Sequence, residues 1–359
     1  MSSSIAGPAT PVGRISGPCA WRGDELERST GWIRRLSPEA IAEAEAAVGV
    51  ARQRGLDWPR LTREDFPLRA LAAELAAAAA ELEHGRGIVL LRGLPVTRYS
   101  EADLKALFWG LGAHLGAARY QNAHGELIGE VRDEVRRYGE VFQPAVPREP
   151  GQGPTSRYKA RSNRPLRFHT DRTDVVALLC VRNARAGGLS RIASSVAVAN
   201  TILDRRPDLH SLLCQPYHRS RQGEEAGGEH AVYALPVFAA RDGRFTSQYS
   251  RTFVEAAQLL PGVPPLTPAQ DEALDLLAEV AQELAFEHAF EPGDIRLLNS
   301  DVTYHARTAY EDHPDRDRDR LLLRLWLSPP GTRRLPDGFD VLWGSTEPGV
   351  PRGGIRSAA

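Results

Sequence analysis

The chain is predicted to be mainly β with flanking helices, an α+β fold built on a sandwich or jelly-roll barrel. Two observations carry that expectation. Short apolar runs recur between residues 127 and 327, each closed by turn residues, and the helical patterns lie chiefly before Gly116 rather than alternating with the strands.

The helical signals come first. Ser37 can cap a helix with Pro38 at its first position and Glu39 next. An Ala/Leu/Glu-rich helix is expected from Leu68 to His84, stopped by Gly85, and another from Glu101 to about His114, its start flanked by Ser100 and Asp103. Between them RGIVLLR (86–92) reads as a short buried strand ended by Gly93 and Pro95. The later strand candidates are 127–132, 174–181, 212–219, 231–238, 244–250, 295–300, 302–308 and 321–327. One strong helix interrupts them, opened by the capping-box residues Thr267, Pro268 and Gln270 and continued by apolar repeats to Leu284. DHPDRDRDR (312–320) is a charged surface turn between two strands.

Composition narrows the function classes. With 42% hydrophobic residues in 359 the chain can bury a sizeable core, and a formal net charge of −1 gives no field favouring nucleic acid or membrane. Lys105 and Lys159 are the only lysines, so arginine is abundant and one arginine alone is weak evidence. Cys19, Cys180 and Cys214 are scattered and form no CxxC, which argues against a disulfide framework or a thiolate zinc site. No apolar run approaches membrane-spanning length and the N-terminus lacks a secretory pattern, so a cytoplasmic, reducing location is expected. Residues 1–30, rich in Ser, Gly and Pro, read as a loose N-terminal arm.

The most informative segment is LRFHTDRTDVV (166–176). On a strand, residues i and i+2 share a face, so His169 and Asp171 would project together. An imidazole and a carboxylate are two thirds of a facial triad, the open-sided donor set of non-haem Fe(II) centres. His305 in NSDVTYHART, after the turn of Pro292, Gly293 and Asp294, is the best third ligand. Two rival pairs exist, His124 with Glu126 and His313 with Asp315, but both sit in turn-like surroundings. Zinc could use the same donors, so the rest of the site must decide the chemistry.

Arg324 lies in RLLLRLWLS, where alternation puts Arg320, Leu322, Arg324 and Trp326 on one face and Leu321, Leu323, Leu325 and Leu327 on the other. An arginine amid such neighbours is costly unless it meets an anion, and a carboxylate fits its fork. The bland alternative is a pair with a protein carboxylate.

HTD (169–171), AGGLS (186–190), PGDIRLLNS (292–300), HART (305–308) and RLLLRLWL (320–327) together resemble the TauD/TfdA family of Fe(II)/2-oxoglutarate dioxygenases, in the clavaminate-synthase-like group. RGIVLLRGLP (86–95) is similar to the family's early strand, and the resemblance spans roughly residues 85–330. It implies a double-stranded β-helix (a cupin-like jelly roll) as the core of one catalytic domain over residues 31–359. It implies His169, Asp171 and His305 as iron ligands, Arg324 as the anchor of the 2-oxoglutarate C5 carboxylate with Arg320 as the fallback, and Ser190 as a helper hydroxyl. Arg307 would have a supporting duty.

The implied reaction consumes 2-oxoglutarate and O2, releases succinate and CO2, and oxidises, most simply hydroxylates, an unactivated C–H bond. Because Asp171 is present, halogenation is disfavoured. The substrate is expected to be a small molecule, anionic or amino-acid-like, with natural-product tailoring an equal candidate. Arg167, Asn163, Tyr120, Gln121, Asn122 and Tyr304 are the pocket candidates, each with an ordinary surface or supporting role as the simpler alternative. No nucleic-acid or membrane partner is expected, and a homo-oligomer is left open. The rival readings are a metal-dependent hydrolase or isomerase on a cupin-like barrel, and a non-catalytic ligand-binding barrel.

Overall fold

The computed structural model describes residues 12–139, 159–225 and 229–355. Its centre is a pair of facing sheets. The larger, seven-stranded sheet runs in the order Ile33–Arg35, Ile88–Arg92, Ile295–Asn299, Val175–Arg182, Leu321–Ser328 and Ala117–Arg119, with Ile128–Val131 also paired to Leu321–Ser328. The smaller, four-stranded sheet runs Phe286–His288, Ser190–Ser194, Thr303–Arg307 and Leu166–His169. All pairings are antiparallel except that of the first edge strand. This is the expected double-stranded β-helix.

Alternation along the strands builds the layers. Val175, Ala177, Leu179 and Val181 face one way, with Leu321, Leu323, Leu325 and Leu327, and pack on the helices Pro38–Gln53, Ala70–His84 and Glu101–Leu115. Val176, Leu178, Cys180, Leu322 and Trp326 face the other way, into the barrel, where they meet Ile192 and Phe286 of the small sheet. The outer face of the small sheet is covered by the helices Ser195–Arg205, Pro207–Leu213 and Pro268–Leu284. Each fully buried aliphatic side chain in these layers contributes about 1.5–3 kcal/mol.

Several expected local devices are present. The Ser37 and Ser100 hydroxyls accept from Ala40 N–H at 3.1 Å and Asp103 N–H at 3.1 Å. Thr267 and Gln270 form a reciprocal capping box at 3.0 and 3.2 Å. Gly293, at φ +95°, lets the turn pass Leu94 so closely that a Cβ would stand 2.0 Å from its carbonyl oxygen.

Three expectations need correction. The arm over residues 1–30 is not loose where it is described. Val12, Trp21 and Leu26 are buried, Gly23–Arg28 is helical, and the Trp21 indole donates to the Arg86 carbonyl at 2.9 Å; residues 1–11 lie outside the described residues. The run 212–219 is not one strand: it holds the end of the helix Pro207–Leu213 and the strand Tyr217–Ser220, divided at Pro216. Likewise 231–238 is split at Pro236 into Val232–Leu235 and the start of Phe238–Arg241. Proline withholds a ladder N–H in both places.

Candidate metal centre

His169 ends the strand Leu166–His169, and His305 lies in Thr303–Arg307 directly opposite it in the antiparallel register. Their rings are 4.2 Å apart between centroids. Asp171 follows two residues after His169, where the chain leaves the small sheet. Its Oδ1 is 3.7 Å from His169 Nε2 and its Oδ2 is 3.8 Å from His305 Nε2. One donor atom from each of the three side chains lies within 4.8 Å of the others, and no other such group occurs among the described residues. The rival pairs are engaged elsewhere: Glu126 pairs with Arg161, and His313 lies in the charged turn, where its carbonyl accepts from Arg136.

The donors are in the right chemical state for a cation. His169 Nδ1 meets its own strand's Arg167 carbonyl at 2.9 Å. A carbonyl only accepts, so Nδ1 carries the proton and Nε2 offers its lone pair inward. Burial, then the neighbouring His169, hold His305 well below the ordinary histidine range against the pull of Asp171, so its imidazole is neutral. Burial alone would raise the Asp171 carboxyl, but Arg324, the two histidines and the Trp326 indole outweigh it and keep it below the usual carboxylate range. Trp326 Nε1 donates to Asp171 Oδ2 at 3.1 Å. Two imidazoles and one carboxylate on one side of a cavity fit an Fe(II) facial triad.

Beside this centre sits Arg324. Its Nη1 is 3.6 Å from Asp171 Oδ2, its Nε donates to Gln121 Oε1 at 2.6 Å, and its guanidinium lies 5.1 Å over the Trp326 ring. Gln121 is fixed in turn by donating to the Leu127 and Arg324 carbonyls at 2.8 Å each. Arg320 is on the same face, four residues or two repeats of the pleat earlier. Its guanidinium stacks 5.0 Å over Tyr310, and Gly188 at φ +69° is so close that a Cβ there would meet Arg320 Nε at 3.2 Å. Ser190 is buried at the start of its strand, paired with Arg307 and His288. Gly188 thus lies against Arg320, whereas Arg324 lies beside Asp171.

The other pocket candidates fall away. Tyr304 neighbours His305 in sequence, so alternation turns it to the opposite face, where it is fully buried in the helix-side cluster with its hydroxyl 2.5 Å from Ser247 Oγ. Arg167 is exposed and ion-paired with Glu255 at 2.6 Å, because the edge strand lets its long side chain reach the helix Arg251–Ala257. Asn163 is exposed and meets the core only through its carbonyl, which accepts from Tyr310 N–H at 3.1 Å. Asn122 is buried but holds its own turn, bonding Glu126 at 2.6 Å and His124 N–H at 2.9 Å. Tyr120 is 40% exposed, and its carbonyl accepts from Ile355 N–H at 2.8 Å. Arg307 ties the carbonyls of Lys159, Ser162 and Arg164 with one nitrogen, the supporting duty expected of it.

Two features escaped the sequence reading. Trp326 was placed on the inward face but not as a donor to Asp171. The segment Arg352–Ile355 packs against the barrel: Gly354 N–H donates to the Arg172 carbonyl at 2.7 Å, Ile355 joins the barrel-interior cluster, and Arg352 Nη2 is 2.8 Å from buried Asp174.

A jelly roll with an inward His–Asp–His face defines the class of non-haem iron oxygenases that this site fits. Comparison with known proteins goes further. The family model described as taurine catabolism dioxygenase TauD, TfdA family, matches residues 54–326. FR-33289 synthase of Streptomyces rubellomurinus is 30% identical over 343 residues, covering 92% of this chain and 95% of that protein. The taurine hydroxylase-like protein SAT17 of Stachybotrys chartarum is 28% identical, covering 89% and 83%. An asparagine oxygenase solved with Fe(II), 3-hydroxyasparagine and succinate superposes with a TM-score of 0.59 at 21% identity, covering 82% of this chain and 93% of that one. The non-haem iron oxygenase OrfP, solved with Fe and α-ketoglutaric acid, gives 0.55 at 18% identity, with 82% and 93% coverage. The chain belongs to the TauD/TfdA family and is a non-haem Fe(II)/2-oxoglutarate-dependent oxygenase. Membership sets aside the hydrolase, isomerase and non-catalytic readings. No helix among the described residues is long and apolar enough to cross a membrane.

Proposed function

We propose that this oxygenase hydroxylates a small carboxylate-bearing, amino-acid-like metabolite in the tailoring of a natural product, with iron held by His169, Asp171 and His305. The observation carrying this reading is the placement of Arg324, a guanidinium 3.6 Å from an iron-ligand candidate and locked by Gln121. A cation so near the reacting centre suits an anionic group of the substrate. It is too close to the metal to hold the end of 2-oxoglutarate that points away from it. Arg320, against Gly188 and on the Ser190 side, suits that C5 carboxylate better, so we assign the two arginines in the reverse of the expected order. The relatives lend support: asparagine oxygenase was solved with a hydroxylated asparagine and OrfP with a hydroxylated arginine. Three free thiols, Cys19, Cys180 and Cys214, accord with a reducing, cytoplasmic setting.

When bound, iron with 2-oxoglutarate and O2 supplies the oxidising power, with CO2 and succinate as co-products. The chain's own residues supply geometry. The Trp326 donor fixes the Asp171 carboxylate, the Arg167 carbonyl fixes the His169 ring, and Arg324 with Gln121 orients the substrate. Ile355 and the interior aromatics keep water from the centre.

Anaerobic addition of Fe(II) and 2-oxoglutarate should give a weak visible charge-transfer band, lost in His169→Ala. Succinate release above the uncoupled background then identifies the substrate among amino acids and their derivatives. Arg324→Met should raise that substrate's KM about 10- to 100-fold and leave the 2-oxoglutarate Kd within about twofold, with the converse for Arg320→Met. If Arg324→Met instead costs the 2-oxoglutarate affinity and Arg320→Met does not, the reversed assignment is wrong.

A further inference from the structure

Arg296 has no part in the site described so far, yet it is among the largest fully buried side chains, at 1% exposure. Its strand, Ile295–Asn299, sends Ile295 and Leu297 to the helix layer and Leu298 into the barrel. Arg296 alternates with the outward pair, which turns it inward beside Leu178 and Leu90, its cross-strand partners. The guanidinium lies 4.4 Å over the Phe290 ring, and its Nε and Nη1 are buried with no hydrogen-bond partner among the described residues. Its nearest acid, Asp294, is already occupied: Arg92 grips it bidentately at 2.8 Å through Nε and Nη2, and Glu291 N–H donates to it at 2.8 Å.

Arg320 faces the same space. Its Nη1 makes one long bond, 3.5 Å to the Val131 carbonyl, and no carboxylate lies within 4.0 Å of its guanidinium among the described residues. Both guanidinia are near enough to Cys180 to pull its thiol down against the larger effect of burial. Burial and the repulsion of Arg320 push the Arg296 guanidinium down to about 9. Two inward cations share one stretch of barrel wall, and Nε and Nη1 of Arg296 stay unused among the described residues. A buried guanidinium left in that state is costly, so the pair is built for an anion brought from outside.

We infer that Arg296 is a second guanidinium for the distal carboxylate of 2-oxoglutarate, clamping it together with Arg320. This rests on the proposed function, because it takes that co-substrate to enter the barrel with its far end between the two arginines. Arg296 lies within PGDIRLLNS, and the strand alternation turns it inward from that motif. Its Phe290 stack keeps the fork aimed. Discrimination between 2-oxo acids with and without a distal carboxylate thus has two sources in this chain.

The test compares 2-oxoglutarate with 2-oxopentanoate, which has the same carbon count and no distal carboxylate. Both are titrated anaerobically into the Fe(II) protein and read by the visible band. Arg296→Met should weaken 2-oxoglutarate about tenfold or more and leave 2-oxopentanoate within about twofold, while Arg296→Lys keeps the charge and loses less. Phe290→Leu, which spares the guanidinium and removes only its stacking partner, should weaken 2-oxoglutarate about two- to fivefold and gives a readout if the first variant does not fold. Equal loss for both oxo acids would mean a merely structural arginine and overturn the inference. So would an unchanged 2-oxoglutarate Kd in folded Arg296→Met with a melting temperature that now ignores chloride, the sign of a resident inorganic anion. A missing band in the wild-type protein with both oxo acids would overturn the proposed function itself, and the clamp with it.

Discussion

His169 and His305 meet because two antiparallel strands place them in the same register, so the metal face depends on one cross-strand pair. A slip of either strand by one residue would turn its imidazole out of the barrel and break the pair. Asp171 is controlled by a neighbour that sequence alone does not reveal. The Trp326 indole is its neutral donor, and Arg324 its near cation. Trp326→Phe keeps an aromatic face for Arg324 and removes the N–H together with the pyrrole half of the indole. It should lower turnover or iron affinity about 10- to 100-fold, with a stability loss of about 1–3 kcal/mol from the lost ring volume; steady-state rates, an iron titration and chemical denaturation check this. At this scale the HxD pair was legible because i and i+2 share a strand face. Tyr304 was misplaced by the same rule, being one residue from His305 and so on the other side of the sheet. Arg167 obeys the alternation but sits at an edge, where Glu255 captures it before any cavity does.

Among the elements, Leu321–Ser328 was the most readable because leucine recurs at every second position, 321, 323, 325 and 327, with Arg324 and Trp326 between. Its neighbour in the large sheet, Val175–Arg182, is apolar on both faces, so only its length and bounding turns marked it as a strand. The helix Ser195–Arg205 escaped notice because SVAVANTILDR mixes β-branched residues into a helical period. The segment Arg352–Ile355 has no periodicity at all. Its anchor is an ion pair, Arg352 with Asp174, both essentially inaccessible, and Ser328 Oγ donates to the same carboxylate at 2.8 Å. Arg352→Ala would strand that carboxylate in the interior. It should destabilise the fold by about 3–5 kcal/mol, measurable by chemical denaturation. A loss below about 1 kcal/mol would mean that water reaches Asp174 and the segment is only lightly held.

The whole molecule is a helix layer, two sheets and a second helix layer, with the polar site confined to the space between the sheets. Such an interior penalises any charge that enters it without a partner. His288 is the clearest titrating case. Burial first, then Arg296 and Arg92, hold it down to about 4 against the pull of Asp294, from an ordinary value near 6.5, and its Nδ1 has no partner among the described residues. A depressed folded value means the unfolded chain binds the proton more readily. The stability this residue confers is therefore complete above about 6.5 and is lost as pH falls toward about 4. Melting temperatures across that window should fall for the wild type and fall less for His288→Gln; parallel curves would show that other groups govern the acid side. The two-sheet plan was legible from the spacing of strands and turns. The ties across layers were not, because a pair such as Arg352 and Asp174 joins residues 178 positions apart with no local pattern.

The wall that Ile355 contributes has a different character from the rest of the barrel. It belongs to no sheet ladder and is held by backbone bonds at residues 354 and 355 and one ion pair at residue 352. A side chain in such a place can change in size without a compensating shift in the strands that carry the histidines. Smaller or larger residues in place of Ile355 should therefore leave the metal-binding face intact, which an iron titration of the variants checks.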